Sequence, residues 1–368
     1  MKLYEYAAKE IFSGAGIPVP RGNIVTSADE AGETAKKMGA VVIKAQVMAG
    51  GRGKAGGIAK SSNPEEASRN AQRILGMSIK GLPVRKLLVE EYKKPQIEMY
   101  IGITIDRKSR CPIIMASSEG GIDIEETARE KPQKIVRMHV NPLTGIHSYQ
   151  ARTLAYSLDK KNASAIADVI TKLYRVFTEY DCTLVEINPL ALTTDGIFAL
   201  DAKMVIDDNA LFRQDAKEEE TGSLEELAKK RGMSYVGLDG DIGCIVNGAG
   251  LAMATLDMIA FYGGHAANFM DVRAGADAEQ VKTALGIVSS NRNLKAIIIN
   301  IFGGITRCDE VARGVVEMIP EIKVPIVIRL TGTNESEGRI MLGKHGITMA
   351  SSTEEAARKV VELGHTDK

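Results

Sequence analysis

At 368 residues the chain exceeds what one ordinary core supports and is expected to hold two or three domains. Its 44% hydrophobic and 26% charged content is typical of a soluble globular protein, and Lys+Arg and Asp+Glu, 47 each, cancel to a formal net charge of +0. That balance argues against a nucleic-acid partner, no apolar run is long enough for a membrane span, and four scattered cysteines suggest no zinc site or disulfide framework, which fits a reducing cytoplasm.

In chain order, the opening MKLYEYAAKEIF carries acidic residues where a leader peptide needs an apolar run. Up to about residue 235, short β-branched runs come as neighbours: AVVIKAQV with GGIAKSS, KLLVEEY with IEMYIGITID, and CTLVEINPLAL with IFALDAKMVI. A few turn-forming residues join each pair, which predicts antiparallel hairpins among helices such as PEEASRNAQRIL. The charged stretch 215–232, DAKEEETGSLEELAKKRG, is expected to be a helical connector. After it, GCIVNG, AANFMDV, KAIIINIFGG, VPIVIRLTGTN and ITMASS each precede a helical segment. That rhythm predicts βαβ units and a parallel sheet covered on both faces.

Within VVIKAQVMAGGRGKAGGIAK, Gly51, Gly53 and Gly56 match G-x-G-x-x-G, a weak pattern alone. A dinucleotide turn should open a helix and have an acidic residue about 20 positions on. Here strand-like GGIAKSS follows and Ala71 stands at that distance. A Walker A loop fails too, with Met48 at its first Gly position and Ala55 at its Ser/Thr position. What remains is a glycine-rich hairpin tip, where backbone N–H groups can approach phosphate and Lys44, Arg52 and Lys54 can offset its charge. A surface turn with solvated cations matches the motif equally well.

The run LVEINPLAL…TTDG…IFALDAKMVI places polar residues inside apolar strands. Glu186 and Asn188 share one face, as do Asp201 and Lys203. A Thr194-Asp195 loop would set Asn188 opposite Asp201 and Glu186 opposite Lys203; an Asp195-Gly196 loop shifts partners by two and keeps the face. Oxygen donors such as Asn188 and Asp201 suit Mg²⁺, which takes few protein ligands. A buried Glu–Lys pair beside a hydrogen-bonded Asn is the plainer alternative.

Further on, NGAG (247–250), FGGITRC (302–308) and LTGTN (330–334) place small residues where helices should begin after strands, positions suited to anions. Cys308 beside Arg307 reads as a buried thiol before a nucleophile. His139, His147, His265, His345 and His365 show no metal-ligand spacing.

LYEYAAKEIFSGAGIPVP, KAQVMAGGRGKAGG, MASSEGG, LVEINPLAL, ALDAK, NALFRQ, GCIVNGAGLAMATLDM and NIFGGITRC run in one order across nearly the whole chain. In that order they closely resemble the β subunits of succinyl-CoA synthetase, the ADP-forming succinate–CoA ligase. The resemblance implies an α/β chain with an ATP-grasp domain over 1–235, its smaller subdomain at about 21–95, and a flavodoxin-like CoA-ligase domain over 236–368.

By motif position, the resemblance implies phosphate binding by Lys44 and the Gly51-Arg52-Gly53 loop. It implies an adenine- and ribose-binding hinge at Glu90, the Lys93 backbone and Glu98. Asn188 and Asp201 match Mg²⁺ ligands, and Glu186 the acidic residue that steadies a phosphorylated histidine. Asn247 and Gly304-Ile305-Thr306 match the substrate and phosphate region at the subunit junction. The implied partners are an α subunit, in an αβ or α2β2 assembly, and the small molecules succinate, CoA and ATP/ADP, with GTP possible. In that family the reactive histidine belongs to the α subunit. One departure stands out: many relatives read D-V-G-G-G-A where this chain has Asp271-Val272-Arg273-Ala274-Gly275-Ala276.

A malate–CoA ligase β subunit would share these motifs, since one hydroxyl need not rewrite them. A dehydrogenase leaves the 186–203 hairpin unexplained. A non-catalytic nucleotide-sensing subunit has no need of Asn188, Asp201 and the 302–308 turn together.

Overall fold

The computed structural model describes residues 1–121, 124–214 and 223–365, and the chain divides into two units, Met1–Thr221 and Gly222–Lys368. The first begins with α1 (Glu5–Gly14), β1 (Gly22–Val25), α2 (Ala28–Met38), β2 (Val41–Ala45), β3 (Ile58–Ser61) and α3 (Pro64–Leu75). The short pair β4 (Ser78–Ile79) and β5 (Leu82–Pro83) then leads to β6 (Leu87–Glu91). Ser27 and Asn63 start α2 and α3 by accepting from the N–H groups of Glu30 and Glu66. Pro64 suits the first turn of α3, where an N–H would have no helical partner. The sheet runs β1-β6-β2-β3, all antiparallel, and its core takes Ala31 and Ala35 from α2 and Ala67, Ala71 and Ile74 from α3.

The unit continues through β7 (Ile97–Asp106), β8 (Cys111–Ser117), α4 (Ile124–Glu130), β9 (Val136–His139), α5 (Ser148–Leu158) and α6 (Ala163–Glu179). It closes with β10 (Cys182–Thr193), β11 (Gly196–Ala199) and β12 (Lys203–Ile206). This second sheet runs β11-β10-β7-β8-β9, with β12 also on β10. Phe12 of α1, Leu154 of α5 and Ile166, Ile170 and Leu173 of α6 share a core with Ile101, Ile103, Val185 and Ile187.

Two of the three expected hairpins form, β2 with β3 and β10 with β11 and β12. The third does not: KLLVEEY becomes β6 inside the first sheet, and IEMYIGITID becomes β7 inside the second. The residues between them are tied to different sheets at their two ends. Tyr92 N donates to the Ala40 carbonyl at 2.9 Å, and Gln96 N donates to the Leu192 carbonyl at 2.8 Å. Pro95 disfavours a helical conformation at Lys94, and the segment crosses over instead of turning back.

The second unit holds α7 (Leu224–Lys230), β13 (Ser234–Gly237), β14 (Ile242–Val246), α8 (Ala249–Phe261), β15 (Asn268–Asp271) and α9 (Ala278–Ser289). After these come β16 (Ala296–Arg307), α10 (Cys308–Met318), β17 (Ile326–Thr333), α11 (Glu335–Gly343), β18 (Thr348–Ala350) and α12 (Thr353–His365). The expected connector is helical over Leu224–Lys230, and its part at 215–222 lies outside the described residues. The boundary expected at 235/236 falls within β13, which pairs antiparallel with β15 of this unit.

The strand order is β13-β15-β14-β16-β17-β18, and the last five are parallel. Counted from β14 those five run 2-1-3-4-5, the flavodoxin-like order that was expected. Ile297, Ile299 and Ile301 face a core with Val281, Leu285, Val311, Val315 and Leu342, while Ile298 faces Ile259, Ala356 and Val360. Burial on both faces is why these strands read as unbroken apolar runs. Among the described residues no helix is long and apolar enough to cross a membrane.

Candidate functional site

β2 and β3 present the glycine turn. Gly51 and Gly56 have φ of 78° and 77°, in the left-handed region that glycine enters without steric cost. Ala55 N donates to the Gly51 carbonyl at 3.1 Å and Gly57 N to the Arg52 carbonyl at 2.8 Å, closing the turn. Lys44 and Arg52 point inward. Lys44 Nζ lies 2.8 Å from Glu5 Oε1 and 2.8 Å from Glu90 Oε2, and it also donates to the Leu200 carbonyl. Arg52 donates to Glu5 Oε2 at 2.6 Å, to the Ala45 carbonyl at 3.1 Å, and to both Asp201 oxygens at 2.9 and 3.1 Å. Lys9 completes the group, 2.5 Å from Glu90 and 3.0 Å from Glu5. Three acids thus face three cations, and charges that would be ruinous alone are mutually compensated.

Burial opposes ionisation of Glu5, but Lys44, Lys9 and Arg52 outweigh it and hold its carboxyl well below the usual range. Burial also works against the Lys44 ammonium, and Glu5 and Glu90 more than reverse that, raising its pKa. Asp201 is pushed up, by burial first and by Glu5 second, with Arg52 and Lys44 opposing. Of the six side chains Asp201 is the one with a substantial opening, 34% exposed against 9% or less for the others.

The 186–203 hairpin has the register that a Thr194-Asp195 loop requires, with Thr193 opposite Gly196 and Glu186 opposite Lys203. Leu190 pairs with Ala199, and between these paired stretches lie Asn188 of β10 and Asp201, which sits in the bend between β11 and β12. Glu186 lies 3.7 Å from Lys203, yet burial raises its pKa, with Asp201 and Glu125 adding to the shift. Asn188 Oδ1 accepts from the Gly121 N–H at 2.7 Å. Gly120 packs so tightly that a Cβ there would sit 2.4 Å from the Met99 carbonyl oxygen. Beside it Glu98 is exposed, and a Cβ on Gly121 would meet its Oε2 at 2.8 Å. Glu90 turns its carboxylate into the charge cluster, whereas Lys93 stands apart on Glu91 and Asp195, at 2.8 and 3.0 Å, above the Phe198 ring.

In the second unit, β14 and β16 are neighbours at the point where the strand order reverses, the place where open α/β sheets take ligands. Asn247 follows β14. Its Nδ2 donates to the Phe302 carbonyl at 3.0 Å and to Thr306 Oγ1 at 3.1 Å, and its Oδ1 accepts from Phe302 N at 2.8 Å. Gly275 N donates to Thr306 Oγ1 at 3.0 Å. Asn247 and Thr306 are therefore buried clamps, while Ile305 is 77% exposed. The FGGITRC segment does not form a helix's first turn as expected. It extends β16 through a bulge opposite β17, between Gly303 and Arg307, and α10 starts only at Cys308. Thr333 Oγ1, donating to the Gly304 carbonyl at 2.7 Å, holds the bulge to the next strand. Arg273 sits at φ 63°, a glycine-favouring angle, in the loop between β15 and α9. Cys308 is buried, and burial raises its pKa, as suits a packing thiol. All five histidines are exposed.

The ATP-grasp domain model matches residues 2–192 and the CoA-ligase model residues 245–363. Over its full length the chain is 47% identical to a succinate–CoA ligase [ADP-forming] subunit beta from Roseiflexus sp., covering all of that protein. It is 48% identical to the corresponding subunit of Bacteroides thetaiotaomicron, over 98% of this chain and 100% of that one. The chain belongs to the succinate–CoA ligase β-subunit family. Among solved structures, ATP citrate lyase from Methanothrix soehngenii, with citrate and coenzyme A, shares the fold at a TM-score of 0.68 and 20% identity, covering 100% of this chain and 99% of that one.

An ATP-grasp ligase takes a nucleotide and typically Mg²⁺, and the donor chemistry of this family member fits that ion. Asp201 and Asn188 offer hard oxygen donors from the same hairpin, with Asp201 34% exposed. Among the described residues no three His, Cys, Asp or Glu side chains converge as a closed metal cage. An ion that draws the rest of its shell from phosphate and water suits such a site. Motif reading of the ligase chain missed Glu5 and Lys9, and gave the MASSEGG glycines no role. The alternation EYAAKEIF does hint that Glu5 and Lys9 share a helix face, one turn apart.

Proposed function

We propose that this chain is the nucleotide-binding subunit of an ADP-forming succinate–CoA ligase and completes its reaction with a separate α subunit. The reading has three reversible steps. The nucleotide's terminal phosphoryl group passes to a histidine of the α subunit, then to a succinate carboxylate, and CoA sulfur displaces phosphate from succinyl phosphate. Lys44, Arg52 and the turn at Gly51 and Gly53 hold the phosphates, with the base and ribose towards Glu90, Lys93 and Glu98. Glu186 steadies the histidine, and Asn247 with Gly304, Ile305 and Thr306 receives the acid and its phosphate. Mg²⁺ on Asn188 and Asp201 would supply charge neutralisation between phosphates. The chain's own contribution is placement of cations and backbone dipoles where phosphoryl charge develops.

The observation that carries this reading is the convergence of Lys44, Arg52 and Asp201 beside a glycine turn. The chain's full-length relatives are named for that ligase. All four cysteines are unpaired thiols, which suits a cytoplasmic setting. The test is co-expression with the cognate α chain and trapping of the acyl product by hydroxylamine, comparing succinate with malate and ATP with GTP. Succinyl hydroxamate from succinate is expected. Product from malate and none from succinate would overturn the substrate assignment, and nucleotide binding without any acyl product would favour a regulatory subunit.

A further inference from the structure

Lys44 and Arg52 come from the small sheet and its turn, but the group joining them comes from the N-terminal helix. Glu5 Oε1 takes Lys44 at 2.8 Å and Lys9 at 3.0 Å, and Glu5 Oε2 takes Arg52 at 2.6 Å. The same segment touches the strand and turn again. Lys2 Nζ donates to the Met48 carbonyl at 2.5 Å, and Tyr6 N donates to Gln46 Oε1 at 3.3 Å. On its other side the segment is fixed to β12, through Leu3 N to the Met204 carbonyl at 3.0 Å and a bridge between Lys2 and Val205. Residues 2–9 thus link the large sheet to the turn carried by the small one.

Stability alone is a poor reason for this arrangement. Replacing a buried ion cluster by apolar groups is often neutral or stabilising, because desolvation cancels the Coulomb gain. What the cluster supplies is geometry: two long, rotamer-rich cations are held at set positions before any ligand meets them. Lys9, behind Glu5 and Glu90, balances the second acid so that Lys44 and Arg52 are not over-neutralised. We propose that Glu5 is a positioning residue that presets Lys44 and Arg52 for the phosphates of a nucleoside di- or triphosphate. The proposal rests on the nucleotide-binding reading above.

The test measures binding of Mg-ADP and of adenosine to the full chain in complex with its α partner, by calorimetry. Glu5→Gln should weaken ADP about tenfold, equivalent to about 1.4 kcal/mol, and leave adenosine unchanged. Glu5→Asp, which keeps the charge on a shorter arm, should recover part of the loss. Should Glu5→Gln fail to fold, Glu5→Leu combined with Lys9→Leu keeps the net charge and replaces the buried pair by apolar side chains. It should fold and show the same selective loss. ADP affinity within about twofold of wild type in either folded variant would overturn the proposal, as would equal losses for ADP and adenosine. If the wild-type complex bound no ADP, the nucleotide-binding reading itself would fall, and this inference with it.

Discussion

Replacing Asn247 by Ala tests whether one side chain holds the bulged last stretch of β16. The amide makes three hydrogen bonds, at 2.8, 3.0 and 3.1 Å, two to the peptide groups of Phe302 and one to Thr306 Oγ1. Thr306 keeps its bond from Gly275 N, so the groups left unpaired are the Phe302 N–H and carbonyl. Phe302 is 55% exposed as a residue, so each lost partner belongs at the low end of the penalty for an unsatisfied buried group. Together they should cost about 2–3 kcal/mol. Urea unfolding followed by circular dichroism is the assay, because the chain has no tryptophan to report by fluorescence. Hydrogen exchange at the Phe302 amide gives a local reading. Asn247→Asp adds a sign. It can still accept from Phe302 N, but it sets an oxygen 3.0 Å from the Phe302 carbonyl where only a protonated carboxyl could donate. Its folded pKa must then exceed the unfolded value of about 3.9. Its stability should be best at acid pH and decline as pH rises through that window. A loss below about 0.5 kcal/mol for Asn247→Ala, or unchanged protection of the Phe302 amide, would refute the reasoning.

Asp201→Ala should abolish Mg²⁺-dependent phosphorylation of the partner's histidine while the far-ultraviolet dichroism stays native; wild-type phosphorylation would remove Asp201 from the metal site. Gly120→Ala drives a Cβ to 2.4 Å from the Met99 carbonyl oxygen, backbone that cannot rotate away. It should cost about 3 kcal/mol in urea titrations and weaken ADP binding by moving the Gly121 N–H off Asn188, so native-like stability would contradict the packing described. Burial pushes the Cys182 thiol up to about 12 and raises those of Cys244 and Cys308, leaving Cys111 as the partly exposed thiol. Iodoacetamide at pH 8 should therefore add one label to the native protein, and mass spectrometry finding two or more would count against the buried placement of the rest.

Features whose partners lie close in the chain could be read from residues alone. The 186–203 hairpin is one, because a two-residue turn determines which residues stand opposite. The parallel sheet is another, since strands such as the isoleucine run of β16 show burial on both faces as continuous apolarity. Pairings decided at a distance were hidden. β6 and β7 are sequence neighbours, yet β6 takes β1 and β2 as partners and β7 takes β10 and β8. Glu5 read only as an acidic residue of the opening segment, because Lys44 and Arg52 lie 39 and 47 positions on. Asn247 could be singled out by its place after a strand, but its work as a clamp depends on Phe302, 55 positions away.

The short strand β13 has a practical bearing on how the second unit could be handled alone. It lies antiparallel along the outer side of β15, Ser234 opposite Asp271 through Gly237 opposite Asn268. A fragment starting at Asp239 would contain every parallel strand yet leave that row of backbone donors and acceptors on β15 unsatisfied. Such a border templates sheet-to-sheet adhesion between copies. Fragments meant for separate expression should therefore begin before Ser223, so that α7 and β13 travel with the sheet they shield.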